Sequence, residues 1–173
     1  SIGALVLALL GGELGVAASA YVFAYAVCLD TGTWRGRMAS LFPAAAVCAA
    51  WVCVYLTFGF GAAGSGLYVD PAHPRAFAAA VVERAPVLLF GQWLLPADIY
   101  ALLSPSAARV FWLVACALVG LVAIAFGPLL RRDPVARFFG LGMLLAVIPA
   151  CGTFPSGRLL ILVGLGGMGL LAQ

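Results

Sequence analysis

The sequence contains no lysine, a single histidine and few charges of either sign, with Asp, Glu and Arg together making up 9% of its 173 residues. Soluble domains carry about 25% charged residues, and a soluble core could not hide side chains of which 65% are hydrophobic. At a mean hydropathy of +1.17, the scarcity of charge argues against an ordinary soluble domain and for an integral membrane protein. All nine basic residues are Arg. Together with the abundance of Ala, Gly and Leu, this reads as the coding bias of a GC-rich genome. The net charge of +3 gives no ground for expecting nucleic acid as a partner.

Metal-binding spacing is also missing. Cys28, Cys48, Cys53, Cys116 and Cys151 are scattered without a C-x-x-C pair, so neither a zinc site nor a disulfide framework is expected; no cofactor is expected either. The first apolar run lacks a basic leader and a small-residue cleavage site, which makes it a membrane helix rather than a signal peptide. The chain opens at Ser1 already in apolar sequence and stops at Gln173 without a polar tail. It is expected to be a fragment of a longer membrane protein, with the remainder of that chain and the membrane lipids as its partners.

What is present is a series of apolar runs. Residues 2–29 are apolar apart from Glu13, and 28 residues of helix would extend about 42 Å, more than one span needs. The helix is therefore either long and tilted or broken near Gly11 and Gly12, which would put Glu13 near a membrane face. The polar connection DTGTWRGR leads into a span from about Met38 to Phe60, and Gly59, Gly61, Gly64 and Gly66 mark an irregular exit. Residues 61–108 read as an outward loop carrying broken interfacial or re-entrant helices, with prolines at 71, 74, 86, 96 and 105 and with Trp93 and Tyr100 as aromatic anchors. Further spans are predicted over Arg109–Leu130, over Val135–Ala150 and from Arg158 onward. The expected fold is all-α, a single polytopic transmembrane bundle over 1–173 of about five spans. Arg35 and Arg37 in one short connection, and Arg131, Arg132 and Arg137 in another, put those connections on the cytoplasmic side. This orientation requires residues 75–105 to cross the membrane an even number of times.

Four residues are candidates for chemistry. Glu13 stands in an apolar run, where an acidic group costs about 2.5–3.5 kcal/mol at a helix centre unless it meets a partner or water; it lines a cavity or active site, or it is an interfacial carboxylate at a helix boundary, or it pairs with an Arg of the missing part of the chain. Asp70 and His73, three residues apart in YVDPAHPR, form the best outward acid/base pair, although Asp-Pro and His-Pro are also ordinary turn chemistry. Arg158, in TFPSGRLL, could hold a lipid phosphate bidentately or simply snorkel to the interface. Gly164, Gly166 and Gly169 have the G-x-G-x-x-G spacing of a dinucleotide loop but lie inside an apolar helix, where small residues serve close helix packing.

The stretch LALLGGELGVAASAYVFAYAVCLD, followed by TWRGRMASLFPAAAVCAAWVCVYL, resembles the membrane part of GT-C superfamily glycosyltransferases, in which L-A-L-L-S/T-K-E precedes an apolar span and a basic loop. The resemblance covers about residues 5–58. Gly12 stands where that family has Lys, which reduces the charged pair to Glu13. The resemblance implies a sugar donor carried on a polyprenyl phosphate, an active site on the outer face of a bacterial inner membrane, and catalytic carboxylates on a loop upstream of Ser1. A transporter or flippase, with broken helices near the bilayer midplane, and a non-catalytic membrane scaffold are the rival readings.

Overall fold

The computed structural model describes residues 2–12, 15–59, 68–69, 73–93, 96–153 and 155–173, and among these no strand occurs. The α-helices are α1 (Ile2–Leu10), α2 (Gly15–Cys28), α3 (Trp34–Thr57), α4 (Pro74–Gly91), α5 (Pro105–Arg132), α6 (Pro134–Ala150) and α7 (Ile161–Leu171), with short 3₁₀ helices at Ala97–Leu102 and Gly157–Leu160. The long apolar run at the start is broken, not tilted. Gly12 takes φ 135°, a conformation closed to most residues with a Cβ, and the chain reverses so that Gly15 lies against the Ala8 backbone. Glu13, at this reversal, lies outside the described residues.

Local capping chemistry explains the other boundaries. The Thr33 hydroxyl accepts from the Gly36 amide at 3.2 Å, which starts α3 four residues before the expected Met38. Ser104 accepts from Ala107 and Pro105 occupies the first turn, so α5 starts before Arg109. Asp133 accepts from the Val135 amide at 2.9 Å and separates α5 from α6. In each case a short polar side chain meets an orphan amide at a helix start, and for α5 and α6 proline follows, where its missing N–H costs nothing.

Among the described residues only α3 and α5, of 24 and 28 residues, are long and apolar enough to cross a membrane alone. Helices α2, α6 and the 157–171 segment are apolar but shorter; the 17 residues of α6 extend about 26 Å against a hydrocarbon layer of ~30 Å. The main core lies between the shorter helices: Ala17, Ala20 and Tyr21 of α2, Val87 to Leu89 of α4, Ala146 and Val147 of α6, and Val163 of α7. A second cluster joins Leu5 and Leu9 of α1 to Ala44 of α3.

Small residues let α2 and α7 each pack closely on α6. Tyr21 lies against Gly142 and, through its hydroxyl, beside Gly166; that hydroxyl donates to the Leu162 carbonyl at 2.5 Å, and its ring meets Phe138 edge-on at 5.8 Å. Gly169 packs directly under the Phe139 ring, whereas Gly164 faces open space. The closing glycines are thus a packing seam, built from two members of the motif together with Gly167.

Helix α4 does not continue across the structure. Past Gly91 the chain turns, and Ala97 packs back on Gly91 while Tyr100 returns to Glu83. The chain therefore returns along α4 before α5 begins. Pro86 in α4 removes the amide that would bond Val82, and the Trp112 indole of α5 donates to that carbonyl at 3.2 Å.

Gly166→Ala and Gly164→Ala separate packing from spacing. A Cβ at Gly166 would come within 2.5 Å of Met143 Cβ and 2.7 Å of the Phe139 carbonyl oxygen. G166A should lower stability by about 1–3 kcal/mol, whereas G164A should stay within ~0.5 kcal/mol of the parent or gain from better helix propensity, as read by thermal unfolding in mild detergent.

Candidate functional site

Two ends of the bundle differ in chemistry. One gathers Arg35 and Arg37 at the start of α3, Arg131 and Arg132 at the end of α5, and Arg137 in α6. The Arg37 side chain there donates to the Gly32 carbonyl at 2.8 Å and to the Val27 carbonyl at 3.4 Å, tying the end of α2 to the start of α3. The other end is a polar cluster built from α4, the 97–102 turn and the 151–158 segment, and it is the candidate site.

Its anchor is Arg84, in the middle of α4, whose Nη1 donates to the carbonyls of Cys151 at 3.1 Å and Thr153 at 2.8 Å. Both acceptors lie just past the end of α6, where carbonyls lack helical partners and the helix dipole favours a cation. Next to Arg84 in sequence, Glu83 accepts from the Tyr100 hydroxyl at 3.1 Å. Burial, then the Glu83 carboxylate, pushes the Tyr100 phenol above its ordinary range, so it remains a proton donor. Asp98 accepts from the Gly157 amide at 2.9 Å. That bond first, then the Ser156 hydroxyl and more weakly the Arg158 guanidinium, holds its carboxyl below the ordinary range. Asp98 is therefore an ionised acceptor at neutral pH, not an acid catalyst. A further backbone bond, from the Val69 amide to the Gly152 carbonyl at 2.8 Å, brings the segment before α4 to the same end.

Beside this cluster a shallow cleft of about 580 Å³ opens between α4 and α5, lined by Val82, Glu83, Tyr100, Arg109 and Trp112. It combines a carboxylate, a phenol and a guanidinium around apolar walls. The Thr153 hydroxyl nearby is buried with no hydrogen-bond partner among the described residues.

Of the residues singled out in the sequence, Arg158 opens the 157–160 turn, exposed and beside Asp98. His73 is the exposed residue preceding α4 and gives no side-chain cap. Asp70 and Glu13 lie outside the described residues, so the pairing of Asp70 with His73 is not described. Glu83, Arg84 and Asp98 were not singled out in the sequence. Their partners are 17, 67 and 59 residues away, beyond any local spacing rule. Among the described residues no group of three or more His, Cys, Asp or Glu could hold a metal. Compared with protein families, with curated proteins and with solved structures, the chain matches none.

Arg84→Gln removes charge-assisted bonds to two helix-end carbonyls and should destabilise the protein by about 2–3 kcal/mol, with Lys at the same position restoring part of the loss in thermal unfolding. For Asp98, a folded pKa below the unfolded one means that its contribution is present above the ordinary aspartate value, near 3.9, and is lost as pH falls through the folded value. Asp98→Asn should therefore flatten the acid limb of the stability profile below about pH 4 while leaving the slope near pH 7 unchanged.

Proposed function

We propose that the chain is the membrane-embedded part of an integral membrane protein of a bacterial inner membrane, with its arginine end toward the cytoplasm. The observation that supports this most is the placement of α3 and α5. In their most apolar 18-residue windows, 0% of α3 and 6% of α5 is buried inside the protein. A soluble fold hides its most apolar helices, because apolar surface in water costs about 25 cal/mol per Å². Here Phe42, Val54 and Leu56 of α3 and Val110, Leu121 and Ile124 of α5 face outward, a surface suited to lipid.

The orientation rests on the short connections, whose five arginines outnumber Arg75, Arg84, Arg109 and Arg158 at the other end. For activity we propose transfer of a sugar from a polyprenyl-phosphate donor on the outer side, as the resemblance of residues 5–58 implies. The cleft edged by Glu83, Tyr100 and Arg109 supports this reading by offering an acceptor carboxylate and a phosphate-binding cation on that side. A transporter is the second reading, favoured by the way the chain turns back inside the bundle after α4.

Alkaline carbonate washing should leave the chain in the membrane pellet, and release into the supernatant would refute the membrane reading. In a variant freed of native cysteines, Ser106→Cys should react with an impermeant maleimide in intact cells, whereas Thr31→Cys should react only after permeabilisation. In reconstituted vesicles Glu83→Gln should lower sugar transfer from polyprenyl phosphate at least about tenfold. Unassisted lipid translocation without transfer would favour the transporter.

A further inference from the structure

At the arginine end a lateral groove of about 680 Å³ runs between α5 and the rest of the bundle. Its walls include Val122 and Phe126 of α5 and Leu141 and Leu144 of α6, and its two ends differ sharply. Arg131 and Arg137 stand at one, and Gln92 and Trp93, where α4 turns back, close the other. Along α5 the groove extends from Leu118 to Arg131, about 20 Å of helix. A site apolar over that length and doubly cationic at one end has the chemistry of an amphiphile's complement.

Two carboxylates belong to this end, Asp30 and Asp133, against the five arginines of its connections, and each accepts from a backbone amide, Asp30 from Gly32 at 2.7 Å and Asp133 from Val135 at 2.9 Å, so the end keeps a net positive charge. Arg132, between Arg131 and Asp133 in sequence, adds a third cation to the same end. Guanidinium groups bind phosphate with parallel hydrogen bonds, and basic pockets between membrane helices on the cytoplasmic side suit anionic lipid head groups. The volume lies within the 300–1,000 Å³ range of small-molecule sites.

We propose that this groove holds one anionic phospholipid of the cytoplasmic leaflet, its phosphate between Arg131 and Arg137 and an acyl chain along Val122 and Phe126 toward Trp93. The proposal rests on the membrane reading above. It concerns the end opposite the Glu83 cleft, so it stands apart from the sugar-transfer reading.

Native mass spectrometry of the detergent-solubilised protein, with phosphatidylglycerol and phosphatidylcholine in competition, tests it. The parent should carry one phosphatidylglycerol in preference, and R131Q/R137Q should weaken that preference about tenfold, the equivalent of one lost charge-assisted contact. Val122→Trp, which fills the groove and leaves the arginines in place, should lose the bound lipid, whereas R132Q should keep it. Thermal unfolding checks that each variant folds. Equal binding of both lipids by the parent would overturn the proposal, as would a V122W protein that keeps its preference, which would make the contact surface charge alone. Displacement of the lipid by inorganic phosphate, or a groove closed by a second copy of the chain with no lipid retained, would also overturn it. Release by carbonate washing would sink the membrane reading instead, so the two failures are told apart.

Discussion

Backbone carbonyls left over at helix ends and opposite prolines have to find donors, and in apolar surroundings water does not supply them. The long-range side-chain hydrogen bonds of this protein are largely spent on that task. Trp51 donates to the Leu9 carbonyl at the end of α1 at 3.0 Å, Arg37 to Val27 near the end of α2, and Trp112 to Val82 opposite Pro86. Arg84 serves the carbonyls beyond α6. Each of these bonds also fixes one helix relative to another, so satisfying the backbone and setting the tertiary arrangement are one physical event.

The same constraint explains the division of labour among helices. Of those rich in small residues, α2 and α7 each pack closely on α6, and Tyr21 of α2 reaches across to α7 where Gly142 and Gly166 leave room. The bulkier apolar helices α3 and α5 remain outside, with most of their apolar side chains exposed. Between α5 and the close-packed helices a gap remains, and its ends inherit whatever charge the neighbouring connections carry. The broken α4 closes that gap at one end and builds the polar cluster at the other, so a single proline-containing element shapes both polar regions.

Much of the helical content was legible in the sequence because length and composition decide it locally. Thr33, Ser104 and Asp133 each precede a helix they cap, and Gly11–Gly12 break the first run as expected. The candidate site was legible only in part. Arg158 was singled out and does lie in the polar cluster, but as a neighbour of Asp98. Glu83, Arg84 and Asp98 were not distinguishable from interfacial charges, since a charge in sequence carries no sign of which distant carbonyl or amide it will meet. The glycine motif shows the same limit: its spacing foretold close packing, yet Gly164 faces open space while Gly167, outside the motif, touches Gln92 and Trp93.

The sequence by itself determined that this protein is helical and rich in apolar surface, and where most helices start, because those properties depend on side chains and on neighbours within one turn. Tertiary structure alone decided that α4 turns back, that Arg84 closes the end of α6, and that Arg131 and Arg137 share the mouth of one groove. These arrangements depend on contacts between residues far apart in the chain, and their physical cause is the demand of buried carbonyls for donors together with the close approach that small residues permit.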